Sequence, residues 1–93
     1  MPESYIEGRL RDAIKKRGGL SIKLSSLSFT GLPDRLNLLP GARIYFVETK
    51  YNKGQRSTRQ VAVQRQLERL GFPVWNLWNN DHLNLFLETI DAV

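Results

Sequence analysis

The sequence has no cysteine among its 93 residues, which excludes disulfide staples, thiolate metal sites and thiol nucleophiles. It has one histidine, His82, set beside the expected helix cap Asn79-Asn80-Asp81. That disfavours a histidine-based zinc site or a Ser-His-Asp triad. No apolar run approaches the roughly 18–20 residues that a membrane-spanning helix needs. The opening Met1-Pro2-Glu3-Ser4 lacks a basic segment leading into a hydrophobic one, so no secretory signal is read and the cytoplasm is the expected location. Repeats, low-complexity tracts and inter-domain linkers are also missing, so residues 1–93 read as one domain.

A domain of this size buries only about 60–65% of its unfolded surface, so its core is thin. With disulfides excluded, self-association is the natural further support, and a homodimer is expected. The chain carries 14 basic and 9 acidic residues, a formal net charge of +5. The basic residues cluster at Arg9, Arg11, Lys15, Lys16 and Arg17, then at Lys50, Lys53, Arg56, Arg59, Arg65 and Arg69. Such a face attracts phosphate backbones through counterion release, although a solvated surface has the same composition.

Ser4 to about Arg17 reads as a helix, with Ile6, Leu10, Ala13 and Ile14 at helical spacing and Gly18-Gly19 as a stop. Leu20 to Leu24 reads as a short strand, and Ser25 to Pro33 as a loop. Asp34 to Leu39 and Arg43 to Tyr51 read as strands joined in an antiparallel hairpin by Pro40-Gly41. Ser57 caps a helix reaching about Leu70, with Gly71 as its stop. Pro73 to Trp78 reads as a strand and Leu83 to Ile90 as a final helix. The order α-β-β-β-α-β-α implies an α/β fold, a mixed sheet flanked by helices.

Alternate residues of a strand share a face. Glu48 and Lys50 therefore project together, in line with Ile44 and Phe46, which are expected to be buried. Charges that continue a buried row need pairing or a metal, unless the face opens to solvent there. Hairpin geometry can bring Asp34, at the start of one strand, opposite Glu48 at the end of the next. Two such carboxylates, with the Thr49 carbonyl as a further oxygen ligand, suit a hard cation such as Mg²⁺. The ion would polarise a phosphate and acidify a water. Lys50 could orient that water or stabilise charge on the phosphate.

Gly31-Leu32-Pro33-Asp34-Arg35, the apolar strand ending Glu48-Thr49-Lys50, and Ser57-Thr58-Arg59-Gln60 opening a helix together resemble the VRR-NUC (virus-type replication-repair nuclease) domain. That domain belongs to the PD-(D/E)XK superfamily. The resemblance runs from the first helix to the strand after Gly71. It implies a restriction-endonuclease-like αβββαβ core, here with a C-terminal helix, and hydrolysis of phosphodiester bonds with Mg²⁺ or Mn²⁺. It further implies Asp34 and Glu48 as metal ligands, Lys50 as the catalytic lysine and Gln60 as an active-site residue. Family members that stand alone at this size look like dimeric nucleases of branched DNA, similar in role to Holliday-junction resolvases.

Gln60 also shares a helical stripe with Val63, Leu67 and Leu70, so it should face inward, toward a carboxylate or toward backbone. Glu7 shares a stripe with Leu10 and Ile14. Two roles are open to it: the additional acidic metal ligand that superfamily members often take from this helix, or a capping-box partner of Ser4. Trp75 and Trp78 fall on opposite faces, one for the core and the other for DNA or a partner chain. Lys23 and Arg35 flank the site, and Arg56 and Arg59 open the helix bearing Gln60. These four, with Lys53, are the expected phosphate contacts, the helix N-terminus adding its own pull on anions. The alternatives are a non-catalytic nucleic-acid-binding module using the basic face, and an interaction subunit whose sheet and tryptophans meet a partner protein.

Overall fold

The computed structural model describes residues 4–25, 29–49 and 57–93. Seven elements follow in the expected order: α1 (Tyr5–Lys16), β1 (Leu20–Lys23), β2 (Arg35–Leu39), β3 (Arg43–Glu48), α2 (Thr58–Arg69), β4 (Val74–Asn76) and α3 (Asn80–Asp91). The strands lie in the order β1-β2-β3-β4. The first two pairings are antiparallel and β3–β4 is parallel, which makes the sheet mixed. The fold is the α/β sandwich of a mixed sheet between helices, as the element pattern implies.

Local chemistry sets the ends of the helices. Ser4, Ser57 and Asn79 each accept an amide of the first turn through their side chains, at α1, α2 and α3 respectively. Such caps satisfy amides that have no partner inside the helix. The final helix begins at Asn80, three residues earlier than the apolar spacing indicates, because the Asn79 cap defines its start. Between β2 and β3, Gly41 and Ala42 both take positive φ, 86° and 60°. Leu39 pairs with Arg43 across this tight turn, so the register of the whole hairpin is fixed there.

Register then sorts the side chains. Arg35, Asn37 and Leu39 stand opposite Val47, Tyr45 and Arg43, and directly opposed residues share a face. This face meets α1 and α3. Its core joins Leu10 and Ile14 of α1, Leu39, Val47 and Leu77, and Leu83, Phe86 and Ile90 of α3. Phe86 packs edge-on against Tyr45 and Trp75, with centroids 5.7 and 5.1 Å away. Trp75 is thus the tryptophan of the core, whereas the Trp78 ring lies against His82.

The opposite face carries Leu36, Leu38, Ile44, Phe46 and Glu48, with Leu20 and Ile22 from β1 beside them. Here α2 packs on β4 and the end of β3. Ile44, expected to be buried, is 44% exposed, and Leu20 and Ile22 are exposed as well. The strand alternation is as read, but α2 does not reach that far across the sheet. Leu70 is likewise exposed, so the inward stripe of α2 ends before it.

Candidate active site

Asp34 and Glu48 both lie where the β2–β3 ladder stops, and the sequence explains the stop. The Leu77 amide donates to the Glu48 carbonyl at 2.8 Å, so the Glu48 backbone faces β4. The peptide groups of Val47 and Thr49 therefore face β2. Continuing the register beyond Arg35 and Val47 would pair Thr49 with Pro33 and set Asp34 opposite Glu48. Proline has no N–H to return. In place of a backbone rung, the Asp34 carboxylate swings across. Its Oδ2 accepts the Thr49 amide at 2.8 Å and the Thr49 hydroxyl at 2.9 Å.

Glu48 is held from the other side by α2. The Gln60 amide nitrogen donates to Glu48 Oε2 at 3.0 Å, while its oxygen accepts the Ser57 backbone amide at 2.8 Å. Ser57 and Gln60 form a reciprocal capping box. Gln60 thus makes both of the contacts that its place on the helix allowed, one to backbone and one to a carboxylate. Asp34 is 7% exposed and Glu48 1% exposed, so both carboxylates are removed from bulk water.

Gly31 lets the loop before Asp34 approach α2. It has φ 84°, and a Cβ there would lie 2.8 Å from Arg59 Cγ and 2.9 Å from the Arg59 carbonyl oxygen. Arg59 Nε donates to the Thr30 carbonyl at 3.2 Å, and its guanidinium lies over the Phe29 ring. In the stretch from Gly31 to Asp34, glycine permits the close approach, proline ends the ladder and aspartate replaces the missing rung.

Other expected residues are placed differently. Arg35 is 6% exposed, and its Nε donates to Glu7 Oε2 at 2.9 Å. A buried guanidinium committed to a carboxylate is not presented to a phosphate backbone, which corrects the role expected for Arg35. Glu7 is 4% exposed, and the same oxygen lies 3.4 Å from Lys23 Nζ. Among the described residues, no three His, Cys, Asp or Glu side chains come together as a metal-binding group. Glu7 is the anion of an interior ion pair with Arg35. The Ser4 box forms by half, with the Glu7 amide donating to Ser4 Oγ at 3.1 Å. Lys23 lies at this cluster, partly exposed. Lys50, Lys53 and Arg56 lie outside the described residues.

The reading from sequence missed an amide pair beside Glu48. Asn76 stands opposite Glu48 in the parallel ladder. Gln64 Nε2 donates to Asn76 Oδ1 at 3.0 Å, and Asn76 Nδ2 donates to Gln64 Oε1 at 3.4 Å. A signal was present, since Gln64 follows Gln60 by four residues and so shares its helix face. A groove of about 480 Å³ lined by Phe29, Leu32, Val63 and Leu67 lies along α2 but includes neither carboxylate.

Comparison with known proteins identifies the family. A phage protein named "Putative nuclease p44", from Acyrthosiphon pisum secondary endosymbiont phage 1, is 35% identical over 79 residues, covering 85% of each chain. A solved structure described as a VRR_NUC domain superposes with a TM-score of 0.74 at 28% identity, covering 91% of this chain and 97% of the other. The chain belongs to the VRR-NUC family. No family model matches it. No helix among the described residues is long and apolar enough to cross a membrane.

Proposed function

We propose that this VRR-NUC chain is a metal-dependent endonuclease that hydrolyses phosphodiester bonds in branched DNA. The observation that carries the reading is two buried carboxylates at the end of the β2–β3 ladder, Asp34 bonded to Thr49 and Glu48 next to Thr49 in the chain. The donor set fits a hard divalent cation, because it consists of carboxylate oxygens with a strand carbonyl beside them. In extended backbone the N–H and C=O of one residue point to the same edge, so the Thr49 carbonyl faces the edge where Asp34 sits. With Asp34 and Glu48 as the carboxylate ligands, water would complete the coordination of Mg²⁺ or Mn²⁺.

Such an ion supplies charge for the phosphate and an acidified water. The protein supplies position. Thr49 donates to Asp34 Oδ2, and Gln60 donates to Glu48 Oε2. An ionised carboxylate accepts several partners at once, so these bonds orient the two groups and are compatible with metal ligation. Lys50, two residues beyond Glu48 in the strand pattern, is assigned the developing negative charge on the phosphate. Lys23, Lys53, Arg56 and Arg59 are assigned the DNA backbone, which fits the +5 charge.

One chain of this size offers one such site, so paired cuts across a four-way junction need a symmetric homodimer. The uncharged strip of Leu20, Ile22 and Ile44 on the half-covered sheet face supports a second copy and does not suit phosphate.

The test is cleavage of labelled junction, flap and linear DNA in Mg²⁺, Mn²⁺ or EDTA, with Asp34→Asn and Lys50→Ala alongside. Metal-dependent cutting of branched DNA by the wild type and not by either variant is expected. Equal cutting by all three forms would expose a contaminant. Binding without cutting by any form would replace the nuclease with a nucleic-acid-binding module.

A further inference from the structure

The amide pair Gln64–Asn76 has no place in the chemistry assigned so far, yet it lies beside Glu48, with Gln64 buried and Asn76 partly so. Gln64 is 4% exposed, and burial of an amide is costly unless its hydrogen bonds are made. Both are made, in opposite directions, between α2 and β4. Asn76 is the ladder partner of Glu48. Gln60 and Gln64, one helical turn apart, therefore address two side chains that are neighbours on adjacent strands.

We propose that Gln64 is a positioning residue, which through Asn76 fixes α2 over the sheet so that the Gln60 amide stays aimed at Glu48. This rests on the reading of Glu48 as a metal ligand. The capping box ties the Gln60 side chain to the start of its own helix, through Ser57. It does not fix that helix relative to β3. Arg59 ties the helix to Thr30 of the preceding loop, not to the strand bearing Glu48. Apolar contacts are non-directional and tolerate sliding. Two opposed hydrogen bonds tolerate neither sliding nor rotation, because each weakens steeply with distance and angle. The Gln60–Glu48 bond of 3.0 Å needs that restraint, and catalytic constellations must be held to within about 0.5 Å.

Three variants of the full chain test this: Gln64→Met, Gln64→Asn, and the exchange Gln64→Asn with Asn76→Gln. The first readout is the side-chain amide signal of Gln60 by NMR in metal-free protein, which needs no activity. Both single variants should move it toward the position of a free amide, and the exchange, which restores the total reach of the pair, should bring it back. The shorter, still polar Gln64→Asn serves if Gln64→Met does not fold. An unmoved Gln60 signal in folded single variants overturns the proposal.

The second readout is cleavage in a cycle with Gln60→Ala. Gln64→Met should lower kcat roughly tenfold with KM unchanged, because small displacements at a reacting centre are costly. In the Gln60→Ala background it should add less than about twofold, since coupled residues are not additive. Equal losses in both backgrounds would show that Gln64 does not act through Gln60. Cutting by Glu48→Gln as fast as by wild type would sink the metal-site reading instead. The NMR result would still decide the positioning claim.

Discussion

Thr49 gives both its amide and its hydroxyl to a single oxygen of Asp34, at 2.8 and 2.9 Å. The backbone bond holds the aspartate in place of the rung that Pro33 cannot make. The hydroxyl bond sets its rotation. A hydrogen bond to a charged group contributes about 1.5–3 kcal/mol. Thr49→Val, which keeps the shape and removes the hydroxyl, should lose an amount in that range by urea unfolding and should cut DNA more slowly. Thr49→Ser should retain both properties. A Thr49→Val protein as stable as the wild type would show that the hydroxyl does not restrain Asp34.

Gly31 and Gly71 separate two reasons for a glycine. Both have positive φ, 84° and 95°. A Cβ at Gly31 would lie within 3.0 Å of Arg59, whereas nothing lies within 4 Å at Gly71. The left-handed conformation costs an L-residue about 1–2 kcal/mol, and overpacking adds about 1–3 kcal/mol. Gly71→Ala should show the first cost alone. Gly31→Ala should show both and should also impair cleavage, because the displaced loop carries Asp34. Equal destabilisation of the two variants, measured by thermal melting, would refute a close approach of the loop to α2.

The meeting of Asp34 with the end of β3, at Thr49, was legible in the sequence because the tight turn around Pro40-Gly41 sets the register and strand alternation carries it to the far end. Gln60 was legible because helical spacing put it on an inward stripe. The burial of Ile44 was misread for a different reason. Alternation assigns a residue to a face, but how far α2 extends across that face depends on tertiary packing. Arg35 and Glu7 each had a reasonable role alone. Their pairing depends on how α1 lies across β2, which no local pattern in either segment contains. Arg59, assigned to phosphate by its place at a helix start, also binds Thr30 because Gly31 brings the loop close. Gln64 was readable and passed over, since a polar residue on a helix that is mostly polar draws no notice.

At the ends of α1 and α3, Arg17 donates to both oxygens of Asp91, at 2.7 and 2.8 Å. The hydrogen bond from Arg17 is the main cause that holds the Asp91 carboxyl below its ordinary value of 3.8, against a smaller opposing effect of burial. A carboxylate with a lowered folded pKa contributes stability above its unfolded pKa and loses it as pH falls through the folded one. Asp91→Asn should therefore be less stable than wild type near neutral pH. The gap should close on acidification below 3.8. Urea midpoints across that range are the measurement, and a gap that persisted at about pH 2 would show that charge on Asp91 is not its source. The surface position of the pair predicts a small effect that weakens further with salt.

Glu7 and Arg35 offer the sharpest contrast between a structural and a ligand role for the first-helix carboxylate. Both side chains are nearly fully buried, at 6% and 7% exposure. Removing one partner of such a pair strands the other charge, at a cost of about 3–5 kcal/mol. That is a large share of the roughly 5–15 kcal/mol that holds a small domain together. Glu7→Leu should therefore unfold at much lower urea whether or not Mn²⁺ is present. Replacing both residues with apolar ones, Glu7→Leu with Arg35→Met, should recover much of the loss, because no stranded charge remains. A metal ligand would behave in the opposite way. Its loss would leave metal-free stability nearly intact and would raise the Mn²⁺ concentration needed for cleavage, and the paired substitution would not restore that requirement. Urea unfolding in EDTA, set beside a Mn²⁺ titration of cleavage, separates the two. A stable Glu7→Leu protein with a raised Mn²⁺ requirement would return Glu7 to the metal site.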